Sequence, residues 1–357
     1  MILTILAVVF VFSVLIIIHE WGHFIVAKRN GVKVERFSIG FGPKIFGITR
    51  GDTEYKVSLL PLGGYVKMAG MADENMDTQA IKGEPWEFNS KTVWQRLKIV
   101  SAGPVMNFVL ALVIFIAVYM VGVPVMTNKI GEVKEGFPAA AAQLQTGDQI
   151  VAIDGAPVKN WNELVKIIYQ NPGKELNLTI QRAEKQFSVA LTPKEEKTTD
   201  VFGKEHTVGL IGIMPTSDFQ TEKSNPLHAI WLGTEHTIKL TAMTYKGIFL
   251  LATGQVSPKN LGGPLMIAQL AGKEAKEGWL PLLYFIALIS INLAVLNFLP
   301  IPILDGGHAF FLIVEAIKGS PVSVKAQDLA QKIGLGLLLA LIIFATYNDI
   351  LRFLGKS

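Results

Sequence analysis

No cysteine occurs among the 357 residues. That absence excludes a disulfide scaffold, a thiol nucleophile and any Cys-ligated zinc or iron–sulfur centre. Charge is also scarce. Asp, Glu, Lys and Arg make up 17% of the chain, against about 25% in a soluble globular domain. Hydrophobic residues supply 50%, and the mean hydropathy is +0.40. A wholly soluble enzyme, a disordered chain and a collagen-like fibre are excluded together. The sequence has no internal repeat and no low-complexity tract. A net charge of +4 and a pI near 9.0 would suit a nucleic-acid binder. In so apolar a chain they fit Lys and Arg held in cytoplasmic loops, and no nucleic-acid partner is expected.

What the chain does have is apolar runs near the ~20 residues that a membrane helix needs. The first, Ile2 to Ile18, lacks the basic start and small-residue cleavage site of a signal peptide. It reads as a retained span over 1–24, ending in His19-Glu20-Trp21-Gly22-His23. Further spans are read at 96–124, 281–304 and 331–354. The fold class expected is a polytopic α-helical membrane protein with four transmembrane helices, a membrane-associated β-hairpin region and one inserted α/β domain. Lys28, Arg29, Lys33 and Arg36 follow the first span, and Lys91, Arg96 and Lys98 lead into the second. The positive-inside rule therefore puts 25–95 in the cytoplasm, with both termini outside. Residues 218–280 are read as amphipathic helices on the membrane surface or packed beside it. Glu235, His236, Lys239 and Lys246 fall there, and a charged group costs roughly 2.5–3.5 kcal/mol at a bilayer centre. Residues 305–330 form a cytoplasmic-side segment.

Between the spans, Phe37 to Met68 is glycine-rich, with Tyr55, Val57 and Leu59 alternating against Lys56 and Ser58. The alternation predicts a hairpin, either plainly cytoplasmic or dipping toward the membrane. Residues 125–217 read as an extracytoplasmic domain. It carries Gly147-Asp148-Gln149-Ile150-Val151-Ala152-Ile153-Asp154-Gly155, a helix from Trp161 to Tyr169, and alternating strands at 176–180 and 187–191. That order resembles a bacterial PDZ domain, whose sheet edge takes peptide by strand addition. Lys194 to Asp200 is read as a charged surface loop.

His19-Glu20-x-x-His23 fits a zinc metalloprotease motif. Residues four apart share a helix face, so both imidazoles can reach one metal, with Glu20 on the flank. Catalytic zinc takes three protein ligands, and with Cys absent the third must be His, Asp or Glu. Asp305, in Asn297-x-x-Pro300-x-Pro302-x-x-Asp305-Gly306, is the candidate. The prolines break regular helix there, and the competing reading is an Asp-Gly turn closing the third span. His308 is read as structural.

These residues resemble the site-2 protease family of zinc intramembrane proteases, of the bacterial RseP type. Gly63-Gly64-Tyr65-Val66-Lys67-Met68 and Leu261-Gly262-Gly263-Pro264 support the match. The resemblance implies Zn2+ held by His19, His23 and Asp305, with Glu20 as catalytic base. It implies a re-entrant β element near Phe37 to Val57 that contacts substrate. It makes Asn297 a substrate-binding residue; Asn292, Phe41 and Gly42 are candidates for the same task. The implied substrates are single-pass membrane proteins, such as an anti-sigma factor after a first cut or a remnant signal peptide. The implied location is a bacterial inner membrane, in contact with lipid, with the PDZ domain outside and the metal near the cytoplasmic side. Peptide tails at the PDZ domain are a further candidate partner. Relatives with two tandem PDZ domains are known, and this chain has room for one. A catalytically silent PDZ scaffold and a solute transporter are the competing functions; the intact motif argues against the first and the missing inverted repeat against the second.

Overall fold

The computed structural model describes residues 2–71, 82–199 and 205–355. The chain divides into two units. One takes in Met1–Val118, Ile230–Phe249 and Ser257–Ser357; the other takes in Tyr119–Ala229 and Leu250–Val256.

In the first unit four helices are long and apolar enough to cross a membrane: α1 (Ile2–Arg29), α2 (Val93–Val121), α7 (Trp279–Phe298) and α9 (Val324–Phe353). Each holds a long apolar stretch with no strongly polar face along it, as a helix must where lipid covers one side and neighbouring helices the other. α1 and α2 run in opposite directions, since His19 meets Asn107 while His23 meets Ile99. They approach closely at Gly22, where an added Cβ would lie 2.4 Å from the Ala102 carbonyl oxygen. Small residues of this kind let membrane helices touch backbone to backbone. α8 (Asp305–Lys318) follows α7 after a break at Leu299, Pro300 and Pro302. A largely buried ion pair, Arg96 to Glu315 at 2.5 Å, ties α8 to the start of α2.

β1 (Val34–Arg50) and β2 (Thr53–Met68) form more than the hairpin that alternation predicts. Residues 36–39 pair both with 64–67 and with 54–57, and residues 46–50 pair with 53–57. The two long strands therefore bend into four short ones, in the order 64–68, 34–39, 53–58, 44–50. Gly40 and Gly42, at φ of +89° and +87°, carry the reversal inside β1. The root of the sheet packs on the end of α1 and the start of α2, through Ala27, Val34, Met68, Ile99 and Leu312. Its far end leaves Ile45, Phe46, Ile48, Leu59 and Leu60 exposed.

Within this unit the helical part of 218–280 lies along the spans. His236 on α5 (Pro226–Ala252) meets Tyr284 Oη at 2.8 Å, and Thr244 donates to Asn292 Oδ1 at 2.9 Å. Both pairs advance by eight residues, so α5 runs in the direction of α7. α6 (Pro264–Glu277) is held at its N-terminus by Asp349 of α9, whose carboxylate accepts from the backbone N–H groups of Gly263 and Met266.

The second unit is built around a four-stranded antiparallel sheet of order β6 (Ala156–Pro157), β5 (Gln149–Ile153), β7 (Leu176–Arg182), β8 (Lys185–Leu191). α4 (Trp161–Tyr169) packs on it, with Ile150, Ile153, Trp161, Leu164, Ile168, Leu178 and Ile180 buried together. Asn160 caps α4 by accepting from the Glu163 N–H. Asp148 is 1% exposed. Burial opposes its ionisation, but hydrogen bonds from Arg182 and the Gln145 N–H outweigh that and hold its carboxyl below the usual range. Lys194–Thr199, read from sequence as a charged loop, is instead a strand, β9, paired with β10 (Glu205–Leu210). Four charged residues in a row on a mostly exposed ribbon conceal a strand from a search for apolar periodicity; Asp200 lies outside the described residues. β3 (Val123–Met126) and β12 (Phe219–Glu222) pair at the two ends of the unit.

Candidate metal centre

His19 and His23 stand on one face of α1, one turn apart, with Nε2 atoms 3.3 Å from each other. Asp305, in the first turn of α8, brings its Oδ2 to 3.0 Å from His19 Nε2 and 3.5 Å from His23 Nε2. The three side chains are mostly buried, at 12%, 10% and 22% exposure. They are the only group of three or more His, Asp or Glu ligand atoms so gathered among the described residues. Bond lengths of 2.0–2.2 Å in tetrahedral coordination separate neighbouring ligand atoms by about 3.3 Å. The spacing of these three atoms, and two imidazole nitrogens with one carboxylate oxygen, fit a catalytic zinc ion.

The break after α7 turns the chain so that Asp305 opens a helix rather than closing a turn. A carboxylate is favoured in a first helical turn by the unpaired N–H groups there. Three groups on α2 face the histidines. The Ile99 carbonyl accepts a hydrogen bond from His23 Nδ1 at 2.8 Å, which leaves the Nε2 lone pair free. Gly103 makes room: a Cβ there would lie 2.3 Å from His23 Nε2 and 2.7 Å from His19 Nε2. Asn107, fully buried, places its amide 3.2 Å from His19 Nδ1.

Glu20 is partly buried, and its charge acts on His19, His23 and Asp305. The Val66 backbone N–H faces the Glu20 carboxylate closely enough to act on its charge. β2 passes close by, since a Cβ on Gly64 would lie 3.3 Å from Glu20 Cγ and 2.9 Å from Ile16. Asn297 sits half-buried in the last turn of α7. Asn292 is engaged by Thr244, so its amide oxygen joins α7 to α5. Phe41 stacks on Tyr65 with ring centroids 6.2 Å apart, and Gly42 lies at the β1 reversal with open space around it. His308 is not one of the three gathered residues.

Sequence reasoning missed Ile99, Gly103, Asn107 and Val66. The signal available was the four-residue spacing of 99, 103 and 107, which places all three on one helix face.

A His-Glu-x-x-His helix completed by a distant aspartate, among four apolar spans, defines a membrane zinc metalloprotease. The chain belongs to peptidase family M50, the site-2 proteases; the family's profile matches residues 7–341. It is similar to the zinc metalloprotease RasP of Oceanobacillus iheyensis, with 32% identity across 98% of this chain and 99% of that one. It is similar also to the regulator of sigma-E protease RseP of Salmonella typhimurium, with 34% identity across 97% of this chain and 98% of that one. That second alignment runs over 448 positions, more than the 357 residues present here, so the relative has stretches without a counterpart. Among solved structures, the PDZ domain of an SdrC-like protein from Listeria monocytogenes is similar over 27% of this chain and 94% of its own, at 25% identity and a TM-score of 0.21.

Proposed function

We propose that this chain is an intramembrane zinc endopeptidase that cuts peptide bonds inside transmembrane segments of single-pass membrane proteins. The convergence of His19, His23 and Asp305, on helices apolar enough to span a membrane, is the observation that carries the reading. Zinc held by those three would supply Lewis acidity, polarising a carbonyl and acidifying water. Glu20 takes a proton from water and delivers it to the leaving amide nitrogen. Val66 N–H keeps the Glu20 carboxylate oriented for that exchange. A helical substrate hides its peptide bonds and must unwind, and the edge of the bent β1–β2 sheet offers backbone partners to the unwound strand. Asn297 donates a hydrogen bond to the substrate backbone. The naming of a relative as a regulator of sigma-E supports an anti-sigma factor as substrate; a remnant signal peptide has the same chemistry. Extended peptide tails suit the apolar groove beside α4, lined by Trp161, Leu164, Ile168, Leu210 and Ile213, which a labelled-peptide titration of the full chain would check.

The zinc-loaded protein in detergent should cut a single-pass substrate trimmed outside the membrane, at a bond that mass spectrometry places within the apolar segment. Cleavage only in soluble regions would defeat the proposal. The ligand assignment has its own test. Asp305→Ala should drop zinc content from about one per chain to a small fraction, while His308→Ala keeps it. Equal loss in both would mean that the third ligand is chosen wrongly.

The site lies in the cytoplasmic half of a bacterial inner membrane in this reading, with 125–217 outside. α1 and α7 both run toward the metal group, and the basic residues Lys318, Lys325 and Lys332 follow α7. A cysteine in place of exposed Glu184 should react with an impermeant thiol reagent in cells with an opened outer membrane. One in place of exposed Ser320 should react only after lysis. Labelling of Ser320→Cys without lysis would reverse the orientation.

A further inference from the structure

We infer that Asn107 is a positioning residue for the metal site: its side-chain carbonyl accepts the Nδ1–H of His19 and thereby holds His19 in the tautomer whose Nε2 can bind metal. The inference rests on the reading of His19 as a ligand. Neutral imidazole carries one N–H, and the hydrogen bond made by one ring nitrogen decides which form the other presents. His23 has this settled by the Ile99 carbonyl at 2.8 Å. Among the described residues His19 meets no main-chain carbonyl at Nδ1; what it meets is the Asn107 amide at 3.2 Å.

That amide can face His19 with either of its ends. The structure sets Nδ2 toward Nδ1; in that orientation the His19 proton is forced onto Nε2, where it points at His23 Nε2 and Asp305 and blocks ligation. Asn107 Oδ1 is then also buried without a hydrogen-bond partner among the described residues. With the amide turned, Oδ1 accepts from Nδ1–H, and both histidines present bare Nε2 atoms to the space shared with Asp305. Since no other side chain among the described residues grips that oxygen, His19 decides the orientation. The Asn107 main chain is fixed independently, because Ser290 Oγ of α7 donates to its carbonyl at 2.8 Å. Ile99, Gly103 and Asn107 thus form one stripe of α2 at four-residue spacing: an acceptor for one imidazole, a gap for both rings, and an acceptor for the other. Outer partners of metal-bound histidines act in this way, orienting the ring and choosing its tautomer.

The test uses the full chain in detergent, stripped of metal and titrated with Zn2+ against a chromophoric chelator. His19→Ala should lose tight binding; if it binds as the parent does, the ligand reading fails and Asn107 is not at issue. Asn107→Leu keeps the size and removes the acceptor, and should weaken Zn2+ binding by roughly 10–100-fold. Asn107→Asp keeps the acceptor in the same shape, and should stay within about threefold of the parent. A role in packing alone would make the two substitutions alike. The inference is overturned if Asn107→Leu binds like the parent, or if Asn107→Asp loses as much as Asn107→Leu. One readout needs no variant. Ring nitrogen-15 shifts of His19 in the zinc-loaded parent should report a proton on Nδ1 with Nε2 bound to metal, and metal on Nδ1 would overturn the inference as well.

Discussion

Replacing Glu20 with Gln should leave the zinc content of the purified chain unchanged while cleavage of a membrane substrate falls by roughly 10²–10⁴-fold. The amide matches the carboxylate in shape and can still meet the Val66 N–H through its oxygen. It cannot take a proton from water at neutral pH. Neither His19 nor His23 loses a partner that holds its ring, since their Nδ1 atoms face Asn107 and Ile99. Metal content by atomic emission and single-turnover cleavage, measured on the same sample, separate the two quantities. Zinc loss in parallel with activity would make Glu20 part of the metal shell rather than a base, and unimpaired cleavage would remove it from the mechanism.

Gly103→Ala should be the more damaging change, although it adds one methyl group. Inside a helix, Ala is favoured over Gly by about 0.8–1.0 kcal/mol, so α2 alone would gain from it. The new Cβ would lie 2.3 Å from His23 Nε2 and 2.7 Å from His19 Nε2, well inside van der Waals contact, and neither ring has room to retreat. His23 is pinned at Nδ1 by Ile99, and His19 is hemmed in by Asn107. We expect Zn2+ affinity to fall at least about 100-fold, the upper end of what loss of a supporting group costs. Proteolysis should be undetectable at ordinary zinc. The metal-free variant should also melt below the metal-free parent, because the clash with the two rings is present without zinc and overpacking costs about 1–3 kcal/mol. A variant that binds zinc as the parent does would show that α2 can slide away from α1, and that the approach at Gly22 is loose.

The spans were legible because hydropathy is a sum over some twenty side chains and tolerates local error. The histidine pair was legible because four-residue spacing has one meaning on a helix. Asp305 could be selected because Pro300 and Pro302 announce a broken helix and leave an acid beside it. What could not be read was any partner lying far away in sequence. His19 and Asn107 are 88 residues apart, and a lone Asn in an apolar run, or a Gly, has many ordinary explanations. The bent sheet was hidden for a related reason. Alternation in Tyr55, Val57 and Leu59 fixes which faces they present, but not that residues 36–39 are flanked on both sides by β2. Charge left two places open for α5: Glu235, Lys239 and Lys246 fit a helix on the membrane surface or one packed beside it, and the Tyr284 and Asn292 contacts set it along α7.

The pairing of β3 with β12 bears on how such a chain can change length through descent. Val123 lies opposite Glu222, so the polypeptide leaves and rejoins at neighbouring positions on a two-stranded ribbon. Strands in such a ribbon stand about 4.8 Å apart, whatever is folded beyond them. An insertion or deletion distal to the ribbon alters what hangs from it and leaves the separation of its roots the same. Gain or loss of a whole module there is, geometrically, as mild an event as lengthening the tip of a hairpin.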